Sequence, residues 1–172
     1  VRGPRPLAAL LAAAALFCAV AAWSCVRAAG DGDLAYGRER DAVLLAGERQ
    51  IARLTTLDPA RADAETAAWL SVTTGPLHRE LVRDRQAAAE ALAGTGSAAL
   101  GTVTGAAVTR LDTRAGTARL IATVEVELTP AGPVPGPVTE RRRYEAGLSR
   151  TGEGWKLSDL TALTPQPTGG TP

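Results

Sequence analysis

ARLIATVEVELT, residues 118–129, alternates in chemistry at every second position. Ala118, Leu120, Ala122, Val124, Val126 and Leu128 point one way, while Arg119, Thr123, Glu125 and Glu127 point the other. A strand turns successive side chains to opposite faces, so this stretch predicts a strand with one buried and one wet face. Its neighbours extend the sheet. Thr102 to Leu111 forms the preceding strand, joined through Asp112 to Gly116, whose aspartate and glycine suit a hairpin turn. Pro130 to Pro137 contains four prolines and cannot continue a ladder, so it is read as a loop. Val138 to Thr151 resumes as a strand, with Tyr144, Ala146 and Leu148 on one face. Gly152 to Gly154 then turns the chain into Trp155-Lys156-Leu157, a fourth strand of an antiparallel meander.

Upstream of Ser97 the period is helical. Arg38 to Leu57 reads as an amphipathic helix with Leu44, Gly47, Ile51 and Leu54 on its apolar face, and Gly47 there lets something approach closely. Asp58-Pro59 is a stop and restart, the aspartate capping a short helix through Trp69 and Leu70. Thr74-Gly75-Pro76 repeats that punctuation ahead of a third helix, marked by Leu77, Leu81, Ala88 and Leu92 and ending at Gly94. Three helices before four strands imply an α+β domain whose curved sheet folds over its helices.

Farther upstream lies LAALLAAAALFCAVAAWSCV, Leu7 to Val26, free of charge. Twenty residues rising about 1.5 Å each match the hydrocarbon thickness of a bilayer, so the stretch predicts a single transmembrane helix. Its seven strongly apolar residues contribute only about −0.3 to −0.6 kcal/mol each to insertion, which makes the anchor marginal. Trp23 suits the interfacial belt. A cleaved secretory signal and a lipoprotein signal compete with a retained anchor, through Ala19-Val20-Ala21 and Ala22-Trp23-Ser24-Cys25. Cleavage after the first triplet would leave an apolar terminus, and Trp23 is bulky for a lipidation site. Cys18 and Cys25 share one helical face, and the rest of the chain has no thiol. Insertion from a short amino tail favours the cytoplasmic membrane, single-pass, with the amino end inside and the domain outside. The expected organisation is a tail at 1–6, the anchor at 7–26, a spacer at 27–37, the α+β domain at 38–163 and a disordered proline- and glycine-rich tail at 164–172.

The 172 residues carry 19 basic and 18 acidic side chains. Setting aside Arg2, Arg5 and Arg27 around the anchor leaves the domain near −2, without the electrostatic footprint that nucleic-acid binding needs. Chemistry is scarce. His78 is the chain's one histidine, which with no domain thiol disfavours a metal site, and no cofactor is expected. Glu125 and Glu127 share a solvated strand face, a weak case for paired catalytic carboxylates. Arg141, Arg142 and Arg143 alternate about a strand and are either a solvated edge or an interaction surface for anionic headgroups or an acidic partner. Trp69, Leu120, Val124, Val126, Tyr144 and Trp155 are the expected core or pocket residues.

The order of features resembles the actinobacterial membrane proteins associated with mammalian-cell-entry (Mce) lipid transporters. The likeness rests on the single anchor, Leu54-Thr55-Thr56-Leu57-Asp58, Trp69-Leu70, Thr73-Thr74-Gly75-Pro76-Leu77 and Gly154-Trp155-Lys156-Leu157. It implies an NTF2-like (cystatin-like) cone and a non-enzymatic accessory or scaffold role in lipid or sterol import. The bilayer, Mce transporter subunits and an apolar lipid would be the partners. A lipid-binding carrier and an NTF2-like enzyme of the isomerase or dehydratase type are the rival readings. The apolar inward face of residues 118–128 offers the enzyme no proton-transfer group.

Overall fold

The computed structural model describes residues 5–130 and 136–163, apart from the side chains of 5–9, 11, 28–31, 92, 93 and 95. Residues 1–4 of the expected tail at 1–6, the tail at 164–172, most of the proline loop and the side chain of Leu92 therefore lie outside the described residues, while Arg5 and Pro6 of that tail already belong to the first helix. The chain divides into two compact units, Val1–Glu39 and Arg40–Pro172.

The first unit is helical. Helix α1 spans Arg5–Thr55, and its apolar part reaches a mean hydropathy of 1.7, long and apolar enough to cross a membrane. Phe17 is 75% exposed and Trp23 69%, and Leu16, Val20 and Val26 are also uncovered by protein. Leaving such side chains in water forfeits about 1.5–3 kcal/mol each, a cost that lipid removes. The sequence separated an anchor from a flexible Gly30–Asp33 spacer and a second helix, but α1 runs through all three. Glycine costs a helix about 1 kcal/mol and no proline intervenes, so the ladder continues.

The second unit is α+β. The carboxy-terminal part of α1 is followed by a 3₁₀ turn at Pro59–Arg61, then α2 (Ala62–Val72), α3 (Gly75–Arg83) and α4 (Arg85–Thr95). Strands β1 (Ala98–Asp112), β2 (Thr117–Thr129), β3 (Val138–Thr151) and β4 (Gly154–Ala162) form an antiparallel meander in the order β1-β2-β3-β4. The architecture is the expected α+β one: an apolar amino-terminal helix, then a curved, open antiparallel sheet packed against helices.

The core forms between α1 and the inward face of the sheet. Val43, Ile51, Leu120, Val124, Ala146 and Leu157 are fully buried. The buried column on α1 is Val43, Gly47 and Ile51, one residue away from the Leu44 expected at its start; Leu44 is half-buried. Gly47 sits where a Cβ would collide with the side chain of Leu120, so its missing side chain is what lets helix and sheet meet. Gly101 does the same for Thr55 at the start of β1. Leu57 and Ala99 exchange backbone hydrogen bonds of 2.7 and 2.9 Å, which ties the end of α1 to that strand.

Asp58 caps the 3₁₀ turn, its Oδ1 accepting from the Ala60 amide at 3.0 Å. Thr74 precedes α3 without a side-chain cap; its amide instead donates to the Leu157 carbonyl at 2.7 Å and anchors α3 to β4. The single third helix read from the sequence is two, broken at Asp84. Packing explains the break, because α3 lies against β4 and α4 against α2. The left-handed residue ending α4 is Gly96, not Gly94.

Candidate interaction surface

The centre of the sheet's inward face is apolar. Leu120 and Val124 are fully buried, Val126 and Trp155 are 5% and 7% exposed, and Tyr144 is half-buried beside them. Trp69 is half-buried on α2 and donates Nε1–H to the Arg53 carbonyl at 3.2 Å. Arg53 Nη2 also lies 3.0 Å from Glu65 Oε2, a contact off the hydrogen-bond line that pairs the buried carboxylate of α2 with α1. No residue type in the sequence advertised Glu65; only the way α2 rolls onto α1 buries it.

His78 lies outside the core, in an open cleft with Thr73, Thr74, Thr151, Glu153 and Lys156. Its Nδ1 is 3.2 Å from the Leu70 carbonyl and 3.3 Å from Thr73 Oγ1. Across the cleft, Lys156 Nζ donates to Glu153 Oε2 at 2.5 Å, and this bond holds the Glu153 carboxyl below its ordinary range. Among the described residues no group of three or more His, Cys, Asp or Glu side chains could hold a metal ion.

The arginine run divides by strand geometry. Arg142 pairs in register with Val124, on the core side of the sheet beyond the buried residues, and Nη2 donates to Glu140 Oε2 at 2.7 Å. Hydrogen bonds to Glu140 and then to Tyr144 raise the Arg142 pKa further. Arg141 is on the outer face, where it bonds Glu125 Oε1 at 2.8 Å, so Glu125 is a partner for arginine and is not poised beside Glu127 for acid–base work. Arg119 on the same face bonds Glu145 Oε1 at 2.9 Å, with Asp159 at 4.0 Å. Arg143 has no carboxylate within ion-pair reach among the described residues.

Arg143 instead borders a groove of ≈ 430 Å³ on the sheet, lined also by Gly105, Ala107, Ile121, Thr123 and Leu163. Ile121 is 46% exposed and Leu163 42%. The groove is built from register: Ile121 lies opposite Ala107 on β1, and Thr123 lies opposite both Gly105 and Arg143. The Leu163 amide donates to the Arg143 carbonyl at 2.8 Å and fixes the groove's end. The sequence reading singled out Arg143 but not Ile121, the one apolar residue among the polar outward positions of residues 118–129, which was the available signal.

No protein-family profile matches the chain, and no curated protein is similar to it. The fold is shared with CagV, a VirB8 homolog of the type IV secretion system from Helicobacter pylori, at 10% identity over 73% of this chain and 99% of that one, TM-score 0.58. An IcmL-like type IV secretion system protein from Legionella pneumophila aligns at 12% identity over 74% and 95%, TM-score 0.57. The periplasmic domain of DotI aligns at 11% identity over 70% and 92%, TM-score 0.55. A putative aromatic ring hydroxylase from Novosphingobium aromaticivorans also has the fold, at 22% identity over 72% and 89%, TM-score 0.51.

These matches correct the Mce-associated reading. The chains that share the fold include secretion-system proteins, and the expected lipid or sterol import role, with Mce subunits as partners, falls with the resemblance. Its motifs turn out to be punctuation of the fold: Asp58 is a cap, Gly75 has φ +60° at a helix start, and Gly154 has φ +108° in the β3–β4 turn. Any chain turning at these points needs such residues, whatever it assembles with.

Proposed function

We propose that this chain is a non-catalytic, membrane-anchored accessory domain that docks, on the extracytoplasmic side, onto other components of a type IV secretion-like envelope assembly. The observation that carries the proposal is a filled interior. Gly47 of α1 closes onto Leu120 of β2, and Val43 and Ile51 on either side of it are fully buried in the same core. Binding is left to the outer surfaces. The anchor supports the reading as well, because a tether raises the domain's local concentration at a membrane assembly without new contacts. The fold is that of proteins named as secretion-system components and as a periplasmic domain.

The test is purification of the full chain, tagged at its carboxyl end, from cross-linked native membranes, with protease accessibility measured in intact spheroplasts. Secretion-system components should co-purify in fixed ratio, and external protease should remove the tag. Recovery of the chain alone, or a tag protected from outside, would refute the proposal.

A further inference from the structure

Three arginines of the sheet are neutralised by carboxylates of their own chain: Arg119 by Glu145, Arg141 by Glu125 and Arg142 by Glu140. Among the described residues Arg143 has no such partner, and it stands beside exposed apolar side chains at Ile121 and Leu163. A Cβ added at Gly105 would meet nothing within 4 Å, so the groove is open at β1. At ≈ 430 Å³ it has room for a few side chains, toward the small end of the about 300–1,000 Å³ typical of ligand clefts.

We propose that this groove is the docking point for an acidic-apolar segment of a partner protein, an aliphatic side chain resting on Ala107, Ile121 and Leu163 while a neighbouring carboxylate pairs with Arg143. The inference rests on the docking function proposed above and names its surface. Charge complementarity selects the occupant. A guanidinium at the edge of an apolar floor is matched by a carboxylate, whose two oxygens fit its fork, next to an apolar group. Lipid surfaces are recognised by clusters of free basic residues, whereas the arginines flanking this site are already paired. On the sheet of a second copy, Glu125, Glu140 and Glu145 are already committed to arginines of that sheet, and self-association is read out separately below.

The experiment uses the full chain in phosphatidylcholine nanodiscs and a fluorescein-labelled peptide, acetyl-Gly-Leu-Asp-Leu-Gly-amide, followed by anisotropy. Binding should be saturable and should weaken about tenfold when Asn replaces the peptide's Asp, the worth of one charge-assisted contact. Arg143→Glu should abolish binding of the Asp peptide and confer binding of the corresponding Lys peptide. Arg141→Gln, which lies outside the groove lining, should leave the affinity unchanged. Thermal midpoints of both variants should match the parent, and Arg143→Gln serves as a milder second variant.

Equal binding of the Asp and Asn peptides, or indifference to Arg143→Glu, would overturn the proposal, as would absence of saturable binding. Three rival occupants give their own signatures, each of which also overturns it. Arg143-dependent adsorption to equimolar phosphatidylcholine–phosphatidylglycerol vesicles would indicate lipid. Arg143-dependent self-association in ultracentrifugation would indicate a second copy. Peptide binding that appears only after removal of residues 164–172 would indicate the chain's own tail. Co-purification of secretion components that survives Arg143→Glu would sink the groove and leave the docking function standing; failure of co-purification in the parent chain sinks that function by itself.

Discussion

Replacing Gly47 by alanine tests whether α1 is the plug of the core. An added Cβ would fall within the contact radius of one Leu120 methyl, with Leu120 Cγ at 3.5 Å and the other methyl at 3.8 Å. Leu120 is fully buried, so moving its methyl disturbs the packing around it. Two effects oppose each other. Alanine gains about 1 kcal/mol of helix propensity over glycine, whereas forcing an extra methyl into a packed core costs about 1–3 kcal/mol. The net expectation is a loss near 1 kcal/mol, or about 3–5 °C for a domain of this size. Gly94→Ala is the control: it lies in α4 with nothing within 4 Å of the new Cβ, so propensity acts alone and the protein should gain stability. Leu120→Ala by itself should cost about 2–5 kcal/mol, and the vacancy it leaves should accommodate the methyl that Gly47→Ala adds. The double variant should therefore lie about 1–2 kcal/mol above the sum of the singles. Urea unfolding of the full chain in micelles, followed by tryptophan emission in a Trp23→Phe background, reads these differences as midpoint shifts at constant slope. If Gly47→Ala stabilises the protein as much as Gly94→Ala does, α1 is not seated on Leu120 and the filled-core reasoning fails.

Two further expectations use the same titration. Arg53→Met should cost about 3–5 kcal/mol, because it strands the Glu65 carboxylate, 6% exposed, without its counter-ion, while Arg53→Met with Glu65→Leu should return near the parent; additive losses in the double variant would show that the pair does not couple α1 to α2. The Glu153 carboxyl is held low by its hydrogen bond from Lys156, with the charge of Lys156 as the second cause, so its contribution to stability is complete above the ordinary glutamate pKa of about 4.3 and is lost as pH falls through the lower folded value. The parent should thus exceed Glu153→Gln in urea midpoint at neutral pH, by a small, salt-screened margin that closes in acid; a gap independent of pH would contradict the assignment.

How much of this was legible in the sequence depends on whether one surface alone decided the pattern. Residues 118–129 could be read directly, because each alternate residue faces either core or solvent and a one-residue slip would invert them all. Val138 to Thr151 coincides with β3 for the same reason. The break at Asp84 could not be read: no proline or glycine marks it, and it arises because α3 and α4 pack on different elements. The spacer at 27–37 misled through its glycines, whose modest helix cost the continuing ladder outweighs. At the candidate site, alternation separated Arg142 from Arg141 and Arg143 and put Glu140 two residues from Arg142 on the same face of β3, but the pairing of Arg141 with Glu125 and of Arg119 with Glu145 depends on cross-strand register. That register is what pairs Arg141 and Arg119 and leaves Arg143 opposite Thr123, and a single strand's sequence does not contain it.

The same consideration limits what the fold can say about function. It is shared by secretion-system proteins and by a putative aromatic ring hydroxylase, so the architecture is neutral between docking and catalysis and the residues must decide. An enzyme on this fold needs an interior large enough for substrate and a titratable group aimed into it. Here Gly47 gives up its side chain so that α1 can close on Leu120, which uses the interior for cohesion. The carboxylate buried most deeply among the described residues, Glu65, is spent on Arg53 between two helices, and His78 of α3 lies in a surface cleft against the Leu70 carbonyl near the end of α2. What the sheet keeps uncommitted is on its outer face, where Ile121 and Leu163 remain exposed beside Arg143. Binding from outside is the use proposed for that arrangement, and Arg143 is the residue on which it turns.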